Sequence, residues 1–330
     1  MKTTFHSRAP TILRNVVSKG DGFCLAMFLL LGGCAVSQPA DQRGGRFELF
    51  VLGIAQDGGR PHLGCSKSCC EEARRLGRTL YPASLGIHDV KSGQLLLVEV
   101  TPAVQAQVAL LHRLAGTQAR GRRPVDGILI THAHIGHYSG LVHFGREVAA
   151  TDGIPTYVTP RLAGFLSSHG PWEQLVKLKQ IELRPCTLRK SFQPLPGLQV
   201  TAIPVPHRDE YSDTVAFQLR GSERTVLFLP DIDYWQDELL AELLKGVDVA
   251  YLDGTFYDGS ELPGRELSKI PHPRMVQTME RLGSEARAAP GRFRFIHLNH
   301  TNPALLDRKI QAQLQKRGFR IAEQGERICF

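Results

Sequence analysis

Short apolar runs separated by turn residues set the rhythm of this chain. Runs at 47–52, 84–88, 94–100, 126–131, 154–159, 199–205, 214–219, 225–229, 249–252 and 293–297 are four to seven residues long and read as strands. Lys91-Ser92-Gly93 falls between two of them and predicts a β-hairpin. Helical spacing appears at 68–76, at 102–115 with Pro102 in its first turn, at 235–244 and at 274–282. The stretch 53–64 is glycine-rich loop. Strands first, then strands mixed with helices, predict an α+β fold of stacked sheets covered by helices.

Composition narrows the picture. A charged fraction of 22% against 42% hydrophobic excludes a disordered chain and a coiled coil, and 330 residues suffice for a large core. The net charge of +8 is scattered, with no basic run interleaved with aromatics, which argues against nucleic-acid binding. Part of that charge (Lys2, Arg8, Arg14, Lys19) precedes an apolar run at 23–31. That run is too short to cross a bilayer and suits a signal-peptide core. Leu31-Gly32-Gly33-Cys34 resembles a bacterial lipobox, and Ala35 after the cysteine implies no retention at the inner membrane. The expected organisation is therefore a signal peptide with lipobox over 1–34, a polar tether over 35–45 and one domain over 46–330. The expected location is the periplasm, with a lipid at Cys34 anchoring the protein to the outer membrane.

The most informative stretch follows the run Gly127-Ile128-Leu129-Ile130. It is Thr131-His132-Ala133-His134-Ile135-Gly136-His137. His132 and His134 alternate by two and point the same way in extended chain, and a helical turn from His134 returns His137 to the same place. Three imidazoles so arranged at a strand exit point to a zinc-type metal site rather than to packing. Other ligand-type residues also stand at strand exits: His207 after 199–206, Asp231 after 225–230, and His297 and His300 after 293–296. His297 reads as either a donor behind the ligands or a core residue. Asp253 reads as structural, and His6, His62, His88, His112, His143, His169 and His272 read as surface or packing residues.

In this order, His132-x-His134-x-Gly136-His137, His207, Asp231 and His300 resemble the metallo-β-lactamase superfamily. The branch most similar is that of the pyrroloquinoline quinone biosynthesis protein B. Its likeness is carried by Leu52-Gly53-Ile54-Ala55-Gln56-Asp57-Gly58-Gly59, the cysteines after Pro61, Pro206-His207-Arg208-Asp209-Glu210, Pro230-Asp231-Ile232-Asp233, Asp253-Gly254-Thr255-Phe256-Tyr257 and Asn299-His300-Thr301-Asn302-Pro303, over about residues 47–328. The resemblance implies a four-layer αββα sandwich with one or two zinc ions at one edge. It implies that His132, His134 and His207 hold the first metal, that Asp231 bridges, and that His137 and His300 serve the second. The chain departs from the pattern at Gly136, where the superfamily usually carries an aspartate. Either another acid fills in, Asp57 or Asp209, or the site holds one metal, or a different metal.

The implied activity is hydrolysis, with a metal-bound hydroxide attacking an ester, amide or phosphoester-type bond of a small-molecule substrate. Asp231 would orient the nucleophile, and Tyr138 or Tyr211 are candidates to deliver a proton. An Fe2+-dependent oxygenase, as in the biosynthetic branch, and a non-catalytic metal-binding lipoprotein are the alternatives. Seven cysteines add a second question. Cys65, Cys69 and Cys70 crowd three thiols into six residues, a candidate structural zinc site with His62 or a distant cysteine as fourth ligand. A disulfide to Cys186 or Cys329, or free thiols, are the other readings, and the similar branch implies a cysteine-held zinc in this region.

Overall fold

The structure is a computed structural model that describes residues 45–330. The expected signal segment, and the expected tether up to residue 44, lie outside the described residues. Among the described residues no helix is long and apolar enough to cross a membrane.

The first part of the chain supplies β1 (Phe47–Gly53), α1 (Ser68–Arg75), β2 (Ser84–Asp89), β3 (Gln94–Val98), α2 (Val104–Ala115), β4 (Gly127–Leu129), α3 (Ile135–Tyr138), β5 (Ile154–Val158), α4 (Pro160–Ser168), α5 (Trp172–Lys177) and β6 (Ile181–Pro185). The rest supplies β7 (Ser191–Leu195), β8 (Leu198–Pro204), β9 (Val215–Arg220), β10 (Thr225–Leu229), α6 (Asp237–Leu244), β11 (Val249–Asp253), α7 (Met275–Arg281), α8 (Gly283–Ala288), β12 (Phe293–Ile296), α9 (Arg308–Lys316), β13 (Phe319–Ile321) and β14 (Arg327–Cys329). They form two seven-stranded sheets, ordered β14-β1-β2-β3-β4-β5-β6 and β13-β12-β11-β10-β9-β8-β7. Each sheet is antiparallel at one end and parallel at the other.

The continuous apolar runs have a physical reason: both faces of these strands are buried. Along β1, Phe47, Leu49 and Val51 point into the layer between the sheets, while Phe50 and Leu52 face α2. Along β10, Val226 and Phe228 point inward while Leu227 and Leu229 face the helices of the other side. α2, α4 and α5 cover the first sheet through Leu110, Leu111, Leu162, Leu166 and Leu175. The second is covered by α6, α7, α8 and α9 through Leu239, Leu243, Met275, Met279, Ala286 and Leu314. The result is the four-layer αββα sandwich of an α+β protein.

This topology positions the site. Strand β1 is parallel to β3 and β4 in one sheet, and β8 is parallel to β10, β11 and β12 in the other. The carboxyl ends of all seven strands therefore meet at one edge, and every candidate ligand follows one of those ends.

Candidate metal centre

β4 ends at Leu129, and three residues on His132 begins the histidine motif. His132 is 1% exposed, and its Nδ1 lies 2.8 Å from Thr131 Oγ1. His134 Nε2 donates to Glu210 Oε2 at 3.0 Å, and His207 Nδ1 donates to Asp233 Oδ1 at 2.7 Å. These partners leave His134 Nδ1 and His207 Nε2 as lone pairs, which face each other at 3.1 Å. Two acceptors that close repel unless something positive stands between them.

One turn of α3 then brings His137 back. Its Nε2 is 3.1 Å from Asp231 Oδ2 and 3.3 Å from Asp57 Oδ1, and its Nδ1 is 3.5 Å from Glu99 Oε2. His297, at the end of β12, has Nε2 3.6 Å from Asp57 Oδ1 and Nδ1 3.6 Å from Asp231 Oδ1. Asp231 thus stands between two donor sets: His132, His134 and His207 on one side, Asp57, His137 and His297 on the other. Within each set the donor atoms lie within 4.8 Å of one another.

Electrostatics follow from the crowding. Burial and the neighbouring His137 push His132 well below its ordinary value. Burial opposes charge on His137 too, yet Asp231, Asp57 and Glu99 carry it well above. Burial would raise Asp231 and Asp57, but the surrounding imidazoles hold both far below the carboxylate range. Burial also opposes charge on His272, but Asp253, whose Oδ2 lies 2.7 Å from its Nδ1, and then Asp231 raise it to about 9. Six buried atoms of these residues have no hydrogen-bond partner: His132 Nε2, His137 Nδ1 and Nε2, His297 Nε2, Asp57 Oδ1 and Asp231 Oδ2. Buried polar atoms are nearly always satisfied, so orphans that converge mark a missing ion. Nitrogen and carboxylate donors in this mixture suit zinc and related divalent ions.

Several expectations need correction. His300 does not join the cluster; three residues beyond His297, it stacks on His62 with ring centroids 4.4 Å apart. His297 takes the second-site place instead, because its backbone turns there with φ 64°. Asp209 is exposed and accepts from Thr214 Oγ1 at 3.1 Å, apart from both donor sets. Tyr138 is buried against Trp172 and Phe165, and Tyr211 lies tilted against Phe165 with ring centroids 5.0 Å apart. His272, read as a surface or packing residue, is buried beside Asp231 and Asp253. It borders a cleft of about 900 Å3 that Arg274, Tyr234, Trp235 and Asp233 also line. Glu99 escaped notice as well. Its signal was an acid set in the apolar run Leu95-Leu96-Leu97-Val98-Glu99-Val100, and its carboxyl is raised by burial. Glu99, His272 and His297 share positive φ angles of 71°, 77° and 64°, a strained conformation for such residues that concentrates at functional sites.

The cysteines form a separate group. The sulfurs of Cys65, Cys69 and Cys70 lie within 4.8 Å of one another. Cys186 Sγ donates to the Val158 carbonyl at 3.2 Å, and all five described cysteines are unpaired. The His62 ring is turned to His300, while its backbone N–H donates to Cys70 Sγ at 3.2 Å.

Comparison with known proteins identifies the family and the fold. The family described as "Beta-lactamase superfamily domain" matches residues 96–297. A coenzyme PQQ synthesis protein B of Ruegeria pomeroyi is 27% identical over 305 residues, covering 85% of this chain and 99% of its own. That of Methylorubrum extorquens is 23% identical over 298 residues, covering 84% and 98%. Among solved structures, Zn(2+)-bound PqqB from Methylobacterium extorquens superposes with a TM-score of 0.70 at 22% identity, covering 86% of this chain and 100% of that one.

Proposed function

The chain belongs to the β-lactamase superfamily, and from that premise we propose that it is a metal-dependent hydrolase with two neighbouring cation subsites sharing Asp231. The observation that carries this reading is the convergence of partnerless buried atoms, His132 Nε2, His137 Nε2, His297 Nε2 and Asp231 Oδ2, on one strand-end edge. His132, His134 and His207 form the first subsite, and His137 and His297 contribute to the second. Zinc is the preferred ion for so many imidazoles. When bound, such ions lower the pKa of water toward neutrality and polarise a substrate oxygen.

The chain's own residues do the rest. Asp233 and Glu210 fix the tautomers of His207 and His134 and keep their inward nitrogens free of protons. Asp231 reaches both subsites, with Oδ2 toward His137 and Oδ1 toward His207 and His297. His272 Nδ1 donates to Asp253 at 2.7 Å and faces Asp231 at 3.8 Å, so Nε2 is the atom from which this ring would release a proton. Its place at the rim of the cleft suits it to protonate a leaving group, a task for which Gly136 has no side chain. Two histidine-rich subsites sharing a carboxylate suit metal-assisted hydrolysis, and the oxygenase reading requires iron at the same residues.

His134→Ala should remove the first-subsite ion and all turnover of ester, lactone, thioester and phosphodiester test substrates together. Retained turnover in metal-analysed His134→Ala protein contradicts the mechanism, and iron with oxygen consumption in the parent protein replaces it with the oxygenase. We also propose export and lipid anchoring through Cys34. Cys34→Ser should accumulate unprocessed precursor, and normal processing rejects the anchor.

A further inference from the structure

The second subsite as described has two imidazoles and a shared Asp231, but the histidine motif brings no carboxylate of its own, since residue 136 is glycine. We propose that Asp57 supplies that carboxylate from the loop after β1, and that Gly136 is glycine because Asp57 occupies the space its side chain would need. The inference rests on the two-subsite reading above.

Two observations carry it. A Cβ placed on Gly136 would stand 1.9 Å from Asp57 Oδ1 and 2.6 Å from Asp57 Cα. The clash with the Cα means that turning the Asp57 side chain cannot relieve it; the loop itself must retreat. Asp57 Oδ1 is also buried without a hydrogen-bond partner, 3.3 Å from His137 Nε2 and 3.6 Å from His297 Nε2. An acid that entered this position only to shape a turn would not aim an orphaned oxygen between two imidazoles.

The loop is held firmly enough to present a ligand. Gln56 N donates to the Leu298 carbonyl at 2.8 Å, and Asn299 Nδ2 donates to Gln56 Oε1 at 2.6 Å. These bonds tie the loop to the turn that carries His297. The carboxylate has changed elements while keeping its place in space. A consequence is separability: the second ion depends on the β1 loop, the first does not.

The test is the metal content of the full chain, counted after zinc loading and desalting, with thermal unfolding to check folding of each variant. Cys65/Cys69/Cys70→Ser serves as the common background, so that the histidine centre alone is counted. The parent should retain two zinc ions. Asp57→Asn should retain one, and so should Gly136→Ala, although residue 136 offers no donor atom. Asp57→Gly combined with Gly136→Ala removes the contact with Oδ1 but keeps the one with the Cα, and should still retain one. Two ions retained in both Asp57→Asn and Gly136→Ala overturn the inference and leave the hydrolase reading intact. No zinc in the parent's histidine centre overturns both.

Discussion

At the scale of single residues, the site is governed by what stands behind each imidazole. His207 is turned inward by Asp233, which is mostly buried and 2.7 Å from Nδ1. Removing such an outer partner frees the ring to adopt the wrong tautomer and typically costs about 10–100-fold in metal affinity. Asp233→Ala should weaken the first ion by that order in a competition titration against a chromogenic chelator, with the second ion little changed. Unaltered affinity would mean that packing alone orients His207. The same scale shows where reading the sequence stops. His297 and His300 are the same residue type three positions apart, both after β12, and pattern alone could not rank them. The left-handed backbone at His297 decides, and no periodicity announces it. His132, His134, His137, His207 and Asp231 were legible because each follows a strong apolar run whose end fixes a position on the sheet edge.

Elements explain which parts of the fold were readable. Strands β1, β3, β10 and β11 bury both faces, so their runs of Leu, Val, Ile and Phe stand out. The edge strands β6 and β7 contain Pro185 and Pro194 with exposed polar residues, and β13 and β14 are three residues long; such pieces carry too little pattern to notice. α4 did carry a signal, since Thr159 accepts from Leu162 N ahead of Pro160, the Thr-Pro start of a helix. The β1–α1 connection also has work to do. It runs from Asp57 past His62 to the sulfurs of Cys65, Cys69 and Cys70, and α1 buries Cys70. Three converging thiols suit a structural zinc with one further ligand. Replacing all three by serine should lower total bound zinc by one ion in elemental analysis, and an unchanged total rejects the cysteine site.

The whole molecule couples its stability to pH and to its ions. Far from the metal centre, Arg46 grips Asp89 with two hydrogen bonds of 3.0 and 2.7 Å; Asp89 is fully buried and is held at about 2 by Arg46, against the cost of burial. A carboxyl whose folded pKa lies below its unfolded value of about 3.9 adds stability above that value and loses it as pH falls through the folded one. Asp89→Asn should therefore destabilise the protein by about 1–3 kcal/mol at pH 6 in urea titrations, with the difference shrinking between about pH 4 and pH 2. A difference that persists undiminished at pH 2 would assign the effect to packing. Two seven-stranded sheets bring five parallel strand ends each to one edge, and it is there that ions would complete the structure. The most direct test is isothermal titration of zinc into metal-free protein at pH 7, in two buffers of different ionisation enthalpy. Burial works against a charge on His137, but Asp231 favours one and raises its pKa, so zinc uptake is expected to expel protons. We expect tight binding at the histidine centre, lost in His132→Ala, with an apparent enthalpy that differs between the buffers. Failure of the histidine centre to bind zinc or any other divalent ion would contradict the account.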